Sequence, residues 1–258
     1  MKTALRAALA LGAAAAVLAP ALPASALGPD EIYVQGLNTE VSPARVPYSY
    51  SVYTGDFPLF CDIGGTTDRP AVWNGGEWLL PDGGFARFGR ATDVPLCGDW
   101  DGDGDDELGV QRGRTFFLGS EAVTGGGSVT SFAFGSPGDV PLVGDWDGDG
   151  VDEVAVKRGN RYYFASENAP GGGRVTSSVF GRASDMPVAG NFEVEPDADY
   201  DGLALRRGRT FFVSDDRVGG SVSSTYSFVL GRPGDLALPQ AVPGGGGPDS
   251  LALLRPVG

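Results

Sequence analysis

Two short segments gather the side chains best suited to chemistry: Asp99-Trp100-Asp101-Gly102-Asp103-Gly104-Asp105-Asp106-Glu107 and Asp145-Trp146-Asp147-Gly148-Asp149-Gly150-Val151-Asp152-Glu153. In each, carboxylates stand at the first, third and fifth places of a tight loop, a spacing that converges them on one point. The interleaved glycines permit left-handed backbone turns. A backbone carbonyl at the seventh place (Asp105, Val151) and carboxylates at the eighth and ninth (Asp106 and Glu107, Asp152 and Glu153) can complete the shell. Hard oxygens in a flexible loop suit calcium, which takes about six to eight of them at about 2.3–2.6 Å. Two calcium sites are therefore expected. A merely solvated acidic turn is the competing reading, and it would leave the acids repelling one another.

The loops must be held by strands. The EF-hand uses a similar D-x-D-x-D-G run between helices, but here the acids lead into Leu108-Gly109-Val110 and Val154-Ala155-Val156. These runs belong to a repeat. Phe88-Gly89, Asp93-Val94-Pro95-Leu96 and Gly98-Asp99-Trp100 recur as Phe134-Gly135, Asp139-Val140-Pro141-Leu142 and Gly144-Asp145-Trp146. They recur again, weaker, as Phe180-Gly181, Asp185-Met186-Pro187-Val188 and Gly190-Asn191-Phe192. The period of about 46 residues is that of a propeller blade. A copy before these starts at Asp56-Phe57-Pro58-Leu59, and one after them at Leu230-Gly231 and Asp235.

Each full copy carries four strand-like runs; in the third they are Pro141–Trp146, Glu153–Lys157, Arg161–Ala165 and Val175–Phe180. Turn clusters such as Arg158-Gly159-Asn160 separate them. The fifth copy supplies two, near Leu236–Ala241 and Ser250–Leu254. Two more, Glu31–Gln35 and Tyr48–Tyr53, stand near the start of the chain and echo the end of the fourth copy. The expected fold is thus all-β: a five-bladed β-propeller of four-stranded antiparallel blades, its last blade closed by N-terminal strands. The blades would span about 56–90, 91–136, 137–182, 183–232, and 233–258 with 30–55.

Phe-Gly, Gly-Asp-Trp and Asp-x-Asp-Gly-Asp-Gly before a Val-rich strand resemble the FG-GAP/VCBS repeats of integrin α-subunits and secreted bacterial proteins. The resemblance is strongest from Phe88 to Phe164. It implies a propeller with calcium in the intact loops, and a ligand-binding role without naming the ligand. The fourth copy departs from the pattern, with Asn191, Glu193 and Glu195 where the acids should stand. The first and fifth copies lack the carboxylates.

Lys2 and Arg6, an apolar run from Ala7 to about Leu18, and Ala24-Ser25-Ala26 form a secretory signal over residues 1–26, leaving 27–258 as a single propeller. That apolar run is short for a membrane span. An exported chain with two cysteines suggests one disulfide. Aligned on Pro58 and Pro95, Cys61 falls one place later than Cys97. Side chains alternate along a strand, so the two thiols point to opposite blade faces and can meet between adjacent blades.

Composition narrows the functional classes. Without Lys2 and Arg6 the net charge of −14 becomes −16, which opposes nucleic-acid binding. The chain has no histidine, so neither a Ser-His-Asp triad nor a His-ligated zinc site can form. A glycosidase with paired carboxylates is the remaining enzymatic option, but the expected innermost strands are mostly apolar. The leading expectation is a secreted, non-catalytic module for an extracellular carbohydrate or protein ligand, with no membrane span. The alternative is a structural repeat protein without a small-molecule ligand. Asp93, Asp139 and Asp185, before the first strand, and Arg112, Arg158 and Arg207, after the second, read as turn caps and ion pairs. So do the outlying Asp56, Asp235 and Arg255. Trp100 and Trp146 read as packing, and Trp73 and Trp78 as candidates for a contact surface.

Overall fold

A computed structural model describes residues 31–36, 44–45, 57–64, 69–80, 83–121, 127–192, 200–214, 220–221, 224, 226–232, 236–240 and 250–255. The signal segment, Tyr48–Tyr53, Asp56, Glu193, Glu195 and Asp235 lie outside these residues.

All described elements are strands. Near the start are β1 (Glu31–Gly36) and β2 (Ala44–Arg45). One sheet then comprises β3 (Phe57–Cys61), β4 (Arg69–Asn74), β5 (Glu77–Leu79) and β6 (Phe85–Arg87). The next comprises β7 (Val94–Gly98), β8 (Glu107–Arg112), β9 (Thr115–Gly119) and β10 (Val129–Ala133). A third holds β11 (Val140–Gly144), β12 (Glu153–Arg158), β13 (Arg161–Phe164) and β14 (Thr176–Val179). The fourth holds β15 (Met186–Gly190), β16 (Gly202–Arg207), β17 (Thr210–Ser214) and β19 (Tyr226–Val229), with β18 (Gly220–Ser221) between the last two in the chain. Finally β20 (Leu236–Gln240) and β21 (Ser250–Arg255) join β1 and β2 in the order β2-β1-β21-β20.

These antiparallel sheets are arranged as a β-propeller. The sequence pattern called for five like blades, but four of the sheets, not five, are four-stranded and wholly antiparallel. The sheet β11–β14 gains a fifth strand, because β18 crosses from the neighbouring repeat and pairs in parallel with β14 (Ser178 opposite Gly220). An outer strand leaves a row of unpaired backbone groups, and β18 covers part of that row. The last sheet departs in a second way. β1 pairs antiparallel with β21 along its length (Glu31 opposite Arg255, Gly36 opposite Ser250), as expected, but its described outer partner is Ala44–Arg45 rather than Tyr48–Tyr53.

The second strands β8, β12 and β16 are buried over their first five residues, whereas β13 shows an exposed-buried alternation. Sandwiching of each sheet between its neighbours explains this, since a central strand covered on both faces reads as a continuous apolar run. Between sheets lie three apolar layers: Cys61, Trp73 and Trp78 against Leu108 and Val110; Leu96 and Phe116 against Val154 and Val156; Leu142, Tyr162 and Phe164 against Leu203 and Leu205. Full burial of one such side chain contributes about 1.5–3 kcal/mol. Trp73 and Trp78 are fully buried, so neither forms a contact surface. Their indole nitrogens instead donate to the Phe88 carbonyl (3.3 and 3.0 Å).

Candidate metal centre

Each acidic loop is the connection from an innermost strand to the second strand, β7 to β8 and β11 to β12. The first carboxylate folds the loop around itself. Asp99 Oδ1 accepts the N–H groups of Gly102 (2.7 Å) and Asp103 (3.1 Å), and its Oδ2 accepts that of Gly104 (2.8 Å). Asp145 repeats this with Gly148 (2.7 Å), Asp149 (3.2 Å) and Gly150 (2.8 Å). Gly102, Gly104, Gly148 and Gly150 have φ of 78°, 92°, 81° and 87°, which L side chains rarely adopt. The glycines are therefore a condition of the wrap.

Three carboxylates of each loop come together: Asp99, Asp101 and Glu107, and likewise Asp145, Asp147 and Glu153. Within each set one oxygen per residue lies within 4.8 Å of the others. Two oxygens on a common calcium at about 2.3–2.6 Å can be no further apart than roughly 5 Å, so this spacing suits a shared cation. Asp101 and Asp147 are exposed, whereas Glu107 and Glu153 are each 3% exposed.

Burial of the glutamates has an electrostatic consequence. Glu107 is pushed up to about 7, first by burial and then by the charges of Asp101, Asp103 and Asp99, against the lowering effect of the Trp100 N–H. Glu153 is pushed up to about 8 by burial and by Asp147, Asp149 and Asp145, and the Trp146 N–H does not outweigh them. Burial and the neighbouring Asp103 likewise raise Asp105. Glu107 Oε2 accepts the Trp100 N–H (3.2 Å); the Trp146 N–H faces the Glu153 carboxylate in the same way, yet Glu153 Oε2 is buried without a hydrogen-bond partner. A buried acceptor left unpaired costs about 1–3 kcal/mol, more when charged.

The other expected ligands make further contacts. Asp103 Oδ1 and Asp149 Oδ1 accept the N–H groups of Asp105 and Val151 (3.0 Å each), which closes the tip of each loop. Asp106 and Asp152 reach the preceding sheet. Asp106 Oδ2 accepts the Asp62 N–H (2.9 Å) while its own N–H donates to the Asp62 carbonyl (2.7 Å). Asp152 forms the same pair with Asp99 (3.0 and 2.7 Å), and Asp201 with Asp145 (3.2 and 2.6 Å). These three aspartates clamp neighbouring sheets at the acidic end. Gly98 and Gly144 make room for two of them, since a Cβ on either would fall 2.7 Å from Asp152 Oδ2 or 2.5 Å from Asp201 Oδ2. Asp201 was not singled out from sequence, although it stands before β16 as Asp106 and Asp152 stand before β8 and β12. Asn168 was also missed; its Nδ2 donates to the Asp152 carbonyl (2.7 Å) and its Oδ1 accepts the Val154 N–H (3.2 Å). Nothing in the repeat pattern signals that brace.

Cys61 and Cys97 form the expected disulfide, which joins β3 to β7 across a sheet interface. Trp146 is buried and its indole nitrogen donates to the Glu153 carbonyl (2.9 Å), and Trp100 packs against the adjoining core, so both serve packing. At the opposite end of the sheets, Arg112, Arg158 and Arg207 pair with Asp93, Asp139 and Asp185 at 2.7, 2.6 and 2.5 Å. The same aspartates cap the backbone N–H groups of Arg90, Ser136 and Arg182 (2.9, 2.7 and 2.8 Å). No described helix is long and apolar enough to cross a membrane. Comparison with models of known families and with curated proteins finds no match to this chain.

Proposed function

We propose that the chain is a secreted calcium-binding propeller of the FG-GAP/VCBS type that acts as a non-catalytic recognition module for a carbohydrate or protein ligand. The observation that carries the metal assignment is Glu153: a buried carboxylate with an unpaired Oε2, set within 4.8 Å of oxygens from Asp145 and Asp147. A divalent cation supplies the partner that this oxygen lacks and offsets the repulsion among the three acids. Calcium fits better than magnesium, because the loop offers an irregular set of oxygens and magnesium demands near-octahedral geometry. The first loop has the same three-carboxylate arrangement and would hold the second ion.

In this reading the sheets close into one ring of five blades. The innermost strands β3, β7, β11, β15 and β20 lie side by side in that order, and β20 also neighbours β3. The cations then stiffen loops already clamped between blades, and the opposite end of the ring is left to recognition. The test is a glycan and protein-partner binding screen run in calcium and in chelator, alongside thermal melts. A melting temperature unchanged by chelator would sink the metal assignment. Silence in every binding arm, with a normal calcium response, would leave a structural repeat protein as the better reading.

A further inference from the structure

The two ends of the sheets carry opposite charge. The clamps Asp62–Asp106, Asp99–Asp152 and Asp145–Asp201 bring the acidic ends of four sheets together. Antiparallel register fixes what lies at the other end. Glu107 is opposite Gly98 whereas Gln111 is opposite Val94, and Glu153 is opposite Gly144 whereas Lys157 is opposite Val140. The turns after the second strands therefore sit about 17 Å away, one five-residue strand length. These turns are bound to the connections leaving the outer strands, through Phe134 N–H to Arg114, Phe180 N–H to Asn160 and Leu230 N–H to Arg209 carbonyls. Together they bring exposed arginines to one end, among the described residues Arg90, Arg114, Arg158, Arg161, Arg182, Arg209 and Arg232. Of the described acids at that end, Asp93, Asp139 and Asp185 are buried, each engaged by an arginine, and the exposed Glu77 is paired with Arg87 (2.7 Å). A chain with net charge −14 thus presents a cationic face.

We propose that this arginine face binds an anionic polysaccharide through its carboxylate or sulfate groups; the proposal rests on the recognition-module reading above and names its ligand class. Guanidinium forks match planar and tetrahedral oxyanions bidentately, which suits arginine better than lysine to this task. Repetition of the arginines from blade to blade suits a polymer with repeating charges. The exposed edges hold their position through contacts that leave the outer face available: Arg209 Nε donates to the Gly231 carbonyl (2.8 Å), and Arg158 stacks 5.2 Å from the Tyr163 ring. Acids gathered at the far end repel the same polymer, so the chain would engage it in one orientation.

The test measures binding of the calcium-loaded protein to polyuronate, dextran sulfate, neutral dextran and duplex DNA over a range of salt. The triple variant Arg114→Ser/Arg161→Ser/Arg209→Ser removes three turn-tip charges and spares the Asp–Arg pairs, and its melting temperature checks the fold. The expected result is binding to polyuronate or dextran sulfate but not to neutral dextran. In the variant affinity falls about tenfold or more and the salt dependence flattens, because fewer counterions are released. Equal binding by the variant would overturn the proposal, as would DNA binding as tight as that of the polysaccharides. Binding to neutral dextran alone would overturn it while keeping the recognition reading. Silence on all four polymers, followed by capture of another glycan or protein, would do the same.

Discussion

At the scale of single residues, the acidic loops divide their carboxylates between two jobs. Asp101 and Asp147 belong to the candidate cation sites, whereas Asp106 and Asp152 hold neighbouring sheets together. The two roles have different signatures. Asp147→Ala should cut the calcium-induced rise in melting temperature, so that its effect is larger in calcium than in chelator. Asp152→Ala should destabilise by about 1–3 kcal/mol with or without calcium, because the Asp99 N–H loses its acceptor. Chemical denaturation in both conditions separates the outcomes. At the other end, Asp185 gains its ion pair with Arg207 despite burial. Burial opposes its ionisation, but the Arg207 hydrogen bonds and the Arg182 N–H prevail and hold its carboxyl below the usual range. A depressed acid stabilises the fold above its unfolded value, near 4, and that contribution is lost as pH falls through the folded value. The stability gap between wild type and Asp185→Asn should therefore be widest above about pH 5 and shrink toward pH 2. A gap that held constant would show that the pair contributes through shape alone.

Strand by strand, the chain was legible because its apolar runs are short and its turns repeat. Glu153–Arg158 was read as Glu153–Lys157 and Leu236–Gln240 as Leu236–Ala241, since glycine and proline punctuate both. The Cys61–Cys97 bridge followed from side-chain alternation on neighbouring innermost strands. What escaped reading was non-local. β18 crosses to β14 through two residues, Gly220 and Ser221, with no apolar pattern to mark them. Trp73 and Trp78 broke the repeat and so looked like surface residues, yet they fill the sheet interface that the neighbouring copies fill with smaller side chains. The clamping role of Asp106 and Asp152 could not be read from spacing, because the N–H groups their carboxylates accept belong to another sheet. The bridge spans 36 residues, and closing such a loop in the unfolded chain is worth about 3–4 kcal/mol in the chain-entropy model. Cys61→Ser/Cys97→Ser should lose about that much stability by denaturant melt. A loss under about 1 kcal/mol would mean the sheets dock as firmly without it.

As a whole, the molecule is a propeller with an acidic end and an arginine-bearing end. The acidic end is where cations would stiffen the joints between blades; the arginine end is where a ligand would be met. The role of the acidic end depends on one assignment, that its loops hold calcium. The most direct measurement is isothermal titration of calcium into metal-stripped protein and into Glu153→Gln. Two ions per wild-type chain, at the affinities of about 10⁻⁴–10⁻³ M typical of extracellular modules, and one ion per Glu153→Gln chain is the predicted result. No saturable heat in the wild type, or unchanged stoichiometry in the variant, would contradict it.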